Sequence, residues 1–301
     1  QDLLSRSGFT LTQPEGHHVS KTLSTAAIAS FDRMIKNANQ DGGSLNGCVV
    51  ERTNITGTTH RFNNLGKGMA HQRVTQTDVT PMNLVHSNQT ANLVGWIAAE
   101  YTDVFDMVGT NVSEREGIAV AIAKAIGRRR DQMIIDALEA ASTSLTVAVS
   151  IGGANTDLNP AKLRRTQRLL GNTGADFEEQ GGVSYIGSWI GRENMLAQEE
   201  VTSHDYNTLR LLSTGQLTSW LGMEYKWIAA RQEGGLSLSG SDRTSFAFTK
   251  QAAGIASSME PKAMVDWIPH KTSWLAQMGF VGGATHIDAE SIVELTTEEA
   301  A

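Results

Sequence analysis

Residues 113–141 read SEREGIAVAIAKAIGRRRDQMIIDALEAA, and this stretch decides the architecture. Ser113 with Glu116 three residues later is a capping box, in which hydroxyl and carboxylate each satisfy a backbone N–H left unpaired by the first helical turn. Ile118, Ile122, Ile126, Ile134 and Leu138 then recur at multiples of four, the spacing of one buried helix face. The pattern predicts a helix of about 28 residues, roughly 42 Å long, that serves as the spine of the molecule. Gly117 and Gly127 each cost such a helix about 1 kcal/mol relative to Ala, tolerable where tertiary packing holds it or something passes close by.

Upstream, Ser20 to Ala38 carries Leu23, Ala27, Ile28, Phe31 and Ile35 at helical spacing after a polar start that ends in Gly16-His17-His18. Asp41-Gly42-Gly43 breaks that helix. From Leu45 to Trp96 the residues turn β-branched and polar, with strands expected at Cys48-Val49-Val50, Thr53–Thr59 and Ala91–Ile97. Between them Asn63–Arg73 is glycine-punctuated and almost without core residues. Some fifty residues with so little to bury read as a protruding β-hairpin arm that needs a partner surface.

Downstream, a strand is expected over Leu145–Val149. Asn159 followed by Pro160 marks a second helix, N-cap and first helical position, that closes at Gly171. Strands at Val183–Ile186 and Tyr225–Ile228 enclose a helical piece around Glu193–Leu196. Phe246–Phe248, Met264–Ile268 and Gly283–Ile287 return to strand and should pack on the spine. The fold class is α+β.

The chain has 301 residues, 25 Lys and Arg against 32 Asp and Glu, a net charge of −7 and 40% apolar residues. It is long enough for a sizeable core in one large or two interleaved domains. No run reaches the 18 apolar residues of a membrane-spanning helix. The lone Cys48 can form no internal disulfide, and Gln1–Arg6 has no basic and apolar signal-peptide regions, so a reducing compartment is expected.

Catalytic patterns fail on spacing. Gly66-Lys67-Gly68 lacks the four residues between glycines of a phosphate loop. Ser188, with His204 and Asp205 as base and orienter, would make a hydrolase, but its glycines stand one before and three after instead of two either side. The eight His contain no i, i+4 pair for a metal. Arg128-Arg129-Arg130 and Lys162, Arg164, Arg165, Arg168 are dense basic clusters, read on an acidic chain as solvated helix faces or salt-bridging interfaces. No catalytic, cofactor-binding or metal-ligating residue is expected. A projecting arm without an active-site motif points to assembly.

Four segments in order carry a family resemblance: Phe62–Ala70 (FNNLGKGMA), Thr80–His86 (TPMNLVH), Ala99–Asp106 (AEYTDVFD) and Ala125–Leu138 (AIGRRRDQMIIDAL). Gly187-Ser188-Trp189, Val201–Asn207, Gly215-Gln216-Leu217 and Leu221-Gly222-Met223 extend it. The chain resembles the major capsid proteins of tailed bacteriophages. The resemblance implies the Hong Kong 97-type capsid fold. Its parts would be an N-terminal arm (1–43), an extended β-hairpin loop (44–98), a peripheral domain with the spine helix (99–145), an axial domain (146–245) and the C-terminal part of the peripheral domain (246–301).

On that resemblance Arg61, Phe62, Lys67 and Arg73 of the extended loop are expected to contact a neighbouring subunit, and Ser113, Glu116, Gly127, Arg128 and Asp131 mark the spine helix. Its two glycines would let it bend as a precursor shell expands. Some family members cross-link the loop through a lysine; Lys67 is the only loop lysine, and no partner Asn is identifiable. The implied partners are further copies of the chain in hexamers and pentamers, scaffolding, portal and decoration proteins, and packaged double-stranded DNA held without sequence specificity, with no membrane. The implied location is the virion capsid, assembled in the bacterial host cytoplasm. An encapsulin-type nanocompartment shares the fold and would enclose an enzyme instead.

Overall fold

The computed structural model describes residues 42–105, 114–177, 182–198, 217–230 and 233–299. The helix expected over Ser20–Ala38 lies outside them, as do Ser113, His204, Asp205 and the side chain of Glu116. In chain order the elements are β1 (Val50–Arg52), β2 (Thr59–Leu65), β3 (His86–Asn92), β4 (Val94–Asp103), α1 (Glu114–Glu139), β5 (Thr146–Val147), α2 (Pro160–Thr173), β6 (Val183–Ser188), α3 (Trp189–Leu196), β7 (Ser219–Trp220), β8 (Met223–Ile228), β9 (Leu238–Ser239), β10 (Asp242–Thr249), β11 (Ala253–Ile268), β12 (Ser273–His286) and β13 (Ile292–Glu298).

α1 is the helix expected from the apolar stripe, 26 residues long. Ile122, Ile126, Ile134 and Leu138 are buried, while Ile118 is only half-buried. Met133, Ile135 and Ala137 are buried too, so the C-terminal half is enclosed on more than one side. Ile126 and Met133 pack with Trp96 and Ala98 of β4 and Met278 and Phe280 of β12.

Gly127 has a reason other than the bend expected of it. The chain crosses α1 here at Gly42-Gly43, backbone on backbone. A methyl group on Gly127 would stand 1.8 Å from Gly42 O, and one on Gly43, whose φ is +96°, would stand 2.8 Å from Gly127 O. Only residues without a Cβ allow this approach.

The seven-stranded sheet follows the order β5-β13-β10-β6-β8-β7, with β9 paired to β10. Successive strand residues point to opposite faces. Ile186, Phe246, Phe248 and Ile292 join Ile134, Ile135 and Leu138 of α1. Tyr185, Ala247, Val293 and Leu295 join Leu163 and Leu170 of α2 on the other side. A sheet covered on both faces needs apolar or small residues throughout, and Ser245–Phe248 of β10 are accordingly all buried. β6 and β8 run parallel with α3 between them.

α2 starts as expected, with Asn159 Oδ1 accepting from Lys162 N at 2.9 Å and Pro160 in the first turn. It ends later, at Thr173. Gly174, φ +92°, supplies the left-handed cap, and Gly171 lies within the helix.

The four-stranded sheet is β1-β11-β12-β4, and β2 and β3 form a separate hairpin. β11 and β12 make a long hairpin whose register shifts between Met259↔Val281 and Lys262↔Gly279. Pro261 sits in that gap, because proline has no N–H for the ladder. Four expected strands come out differently; of Cys48-Val49-Val50 only Val50 is in a strand, because Cys48 and Val49 turn into the core beside α1. Leu145–Val149 is reduced to β5; Thr53–Thr59 is mostly a turn, with Asn54 and Gly57 at positive φ. Ala91–Ile97 divides at Leu93, which is buried and donates its N–H to Thr58 O at 2.8 Å, so the chain passes there from hairpin to sheet.

Gly127→Ala should lower stability by about 2–3 kcal/mol in urea unfolding, since both colliding groups are backbone. Gly171→Ala, whose new methyl would meet nothing closer than Phe177 at 3.9 Å, should instead raise it by about 0.5–1 kcal/mol.

Candidate assembly surface

One helical turn beyond Gly127, Asp131 is 1% exposed. Its carboxylate accepts from Ser44 N at 2.8 Å and Leu45 N at 3.2 Å, so the segment that crosses α1 is fixed at once by charge-assisted hydrogen bonds. Leu45, Cys48 and Val49 then enter the core beside Ile134 and Leu138. Burial pushes the Cys48 thiol above its ordinary pKa and keeps it protonated.

The basic run on α1 is committed within the chain. Arg129 stacks on Trp96 with its guanidinium carbon 3.6 Å from the ring centroid and lies 3.8 Å from Glu233; Arg130 is 3.9 Å from Glu51. Arg128 is half-buried and also engaged. Of the two alternatives left open by sequence, salt bridging is the one found, and it lies inside the subunit.

The β2–β3 hairpin pairs from Thr59↔Asn92 to Leu65↔His86. Phe62, expected at an inter-subunit contact, is instead 6% exposed and packs with Ala91, Leu93 and Ala256. Its ring fills the space that a Cβ on Gly254 would enter at 2.6 Å, which ties the root of the hairpin to β11. Beyond the root little is covered. Leu65, Met69, Val74, Met82 and Val85 are all exposed, and Val79 is 94% exposed. Arg61 and Arg73 are exposed as well. Lys67 reaches its own subunit, donating to Thr173 O at 2.8 Å at the C-terminal end of α2 and pairing with Glu290 at 3.2 Å, both side chains well solvated.

A second uncovered region is the outer half of β11 and β12 with β4. Ile97, Tyr101, Met264, Val265 and Trp267 are exposed there. At its end Trp267 and Trp274 meet edge to face at 5.4 Å, and Lys271 Nζ lies 3.8 Å over the Tyr101 ring.

The residues that invited a catalytic reading hold structure. Ser188 Oγ caps α3 by accepting from Gly191 N at 3.0 Å, and it donates to Glu299 Oε1. Glu299 also pairs with Arg243 Nε at 2.9 Å in the buried interior. Lys162, expected on a solvated or interfacial helix face, is 0% exposed. It donates to Thr156 O and to Thr296 O, tying the loop before α2 to β13. Desolvation lowers its pKa to about 8 against the raising influence of Asp157, Asp242 and Glu298. Among the described residues no group of His, Cys, Asp and Glu could hold a metal ion, and no helix is long and apolar enough to cross a membrane.

Sequence reasoning missed Ser44 and Leu45 as partners of Asp131, Gly254 as the seat for Phe62, and the Arg243–Glu299 pair. Gly42-Gly43 carried a signal, read as a helix breaker; the matching Gly127 was the second half of it.

A family profile described as phage capsid protein matches residues 23–299. No curated protein sequence matches the chain. Among solved structures, the acid-stable capsid of Helicobacter pylori bacteriophage KHP30 is similar with a TM-score of 0.70 at 11% identity, covering 96% of this chain and 99% of that one. The capsid of the cyanophage P-SCSP1u gives 0.68 at 13% identity, covering 91% and 94%. The native GTA particle capsid gives 0.65 at 14% identity, covering 95% and 100%.

Asp131→Ala should cost about 3 kcal/mol in urea unfolding, because two buried N–H groups lose a charged acceptor. For Lys162 the folded pKa of about 8 lies below the ordinary 10.5, so between those values the unfolded chain binds more protons and stability rises with pH. Melting temperatures of wild type and Lys162→Met, compared from pH 7 to 11, should show wild type gaining on the variant across that window and holding constant below it.

Proposed function

The chain belongs to the phage capsid protein family, and on that premise we propose how its parts build a shell. It is a major capsid protein with the capsid fold, the subunit of a tailed-phage head. The observation that carries the rest is the hairpin: its root is anchored by Phe62 while its tip exposes Met69, Val74, Val79 and Val85 with no core of its own. Burying such a tip on a neighbouring copy is favourable by about 25 cal/mol per Å² of apolar surface.

In this reading 1–43 is the N-terminal arm, 44–98 the extended loop, 99–145 and 246–301 the peripheral domain, and 146–245 the axial domain lining the capsomer centre. Arg73 supplies a polar contact of the loop, and copies close into hexamers and pentamers. Many modest interfaces held together give a shell more stable than any single pair. Lys67, bound to its own subunit here, would have to leave Glu290 to serve as a cross-link. The net charge of −7 suits a wall that holds double-stranded DNA without gripping it. The role is structural rather than enzymatic, the location the virion, and the assembly partners scaffolding, portal and decoration proteins in the host cytoplasm.

Negative-stain electron microscopy of the concentrated protein should reveal closed shells or rings of five or six subunits. Replacing 66–85 by Asn-Gly, which joins the paired residues Leu65 and His86 with a two-residue turn, should preserve cooperative unfolding and abolish the assemblies. Shells forming as readily without the tip would refute the role given to it.

A further inference from the structure

A cleft of about 900 Å³ lies beneath the hairpin. Five consecutive β2 residues, His60 to Asn64, line it. Side chains alternate along a strand, so an unbroken run of lining residues means that the strand offers its backbone edge. The other edge of β2 is taken by β3, and this one carries no strand among the described residues. The facing wall is formed by β1, the turn between β10 and β11, and the chain that leaves α2 at Gly174. Lys67 bridges the outer end.

The charges inside are unbalanced. Arg52, Arg61 and Lys250 line the cleft without a partner among the described residues. The carboxylates beside them offset only part of this charge: Asp288 accepts from Glu290 N and from Ser291 Oγ, Asp176 is engaged within the chain, and three cations against two carboxylates leave the lining net positive with Lys67 paired to Glu290. Three solvated cations beside a free strand edge on a protein of net charge −7 are a local exception to its acidity.

We infer that the cleft is a docking slot for an extended, acidic peptide segment of a separate protein, which adds to the free edge of β2 and sets alternate carboxylates against Arg52, Arg61 and Lys250. Main-chain hydrogen bonds along the edge would give affinity and the cations would select the side chains. The chain itself does not supply the segment from its described acidic strand, since Glu294 and Glu298 are held within β13 and Glu299 is bonded to Arg243. The slot is a property of the subunit and holds whether or not the hairpin tip bridges copies.

Fluorescence anisotropy on the purified full chain tests this with a dye-labelled peptide of three Glu-Val repeats. Four comparisons accompany it: the Lys-Val counterpart, the same acidic peptide N-methylated at alternate residues, a short oligothymidylate, and the R61E/K250E variant. Saturable binding of the acidic peptide is expected, at least about tenfold tighter than the Lys-Val peptide and weakened about tenfold in R61E/K250E with its melting temperature unchanged. N-methylation should abolish it. No saturable binding, equal binding to R61E/K250E, or indifference to N-methylation would each overturn the proposal. Oligothymidylate binding more tightly than the peptide would do so too, by making the cleft a phosphate site.

Discussion

The subunit depends on a crossing of two backbones. Where Gly42-Gly43 passes over α1, the two backbones approach so closely that no Cβ fits on Gly43 or on Gly127. One turn on, Asp131 converts that approach into a fixed register by accepting from Ser44 and Leu45. A carboxylate removed from water is costly unless its lone pairs are taken, so the contact is satisfied in one geometry and penalised in others. Everything that follows in the chain inherits its starting point from here: Leu45, Cys48 and Val49 enter the core, β1 pairs with β11, and the hairpin leaves the body at a defined place.

Rigid attachment at the root makes exposure at the tip useful. Phe62 on Gly254 and Leu93 at the turn from β3 to β4 fix where the hairpin emerges. The apolar residues beyond it, like those on the outer half of β11, β12 and β4, are exposed among the described residues. A monomer gains nothing from such edges and risks aggregation through them. In the assembly proposed above the same surfaces become the means of association, with closure limiting how far they extend.

Buried charge serves the interior differently. Arg243 and Glu299 share their ion pair with the Ser188 cap of α3 and so tie the end of the chain to the middle of the seven-stranded sheet. Lys162 pays a desolvation cost to hold two carbonyls that belong to different elements. Such groups add specificity of arrangement, since each is satisfied only when the loop, helix and strand around it are in place.

The sequence by itself determined the elements whose cause is local. The stripe from Ile118 to Leu138 predicted α1, Asn159-Pro160 predicted the start of α2, and the motifs from Phe62 to Leu138 identified the family before any coordinates, because periodicity, caps and ordered motifs are properties of neighbouring residues. Partners remote in sequence left weaker traces. Gly127 and Gly42-Gly43 are 84 positions or more apart, Phe62 meets Gly254 across the chain, and Lys162 reads as one more exposed helix cation until β13 is laid beside it. Tertiary structure alone decided which glycines are contacts, which cations are buried and which loop residues belong to the subunit's own core, since each depends on distances between elements that no local pattern encodes.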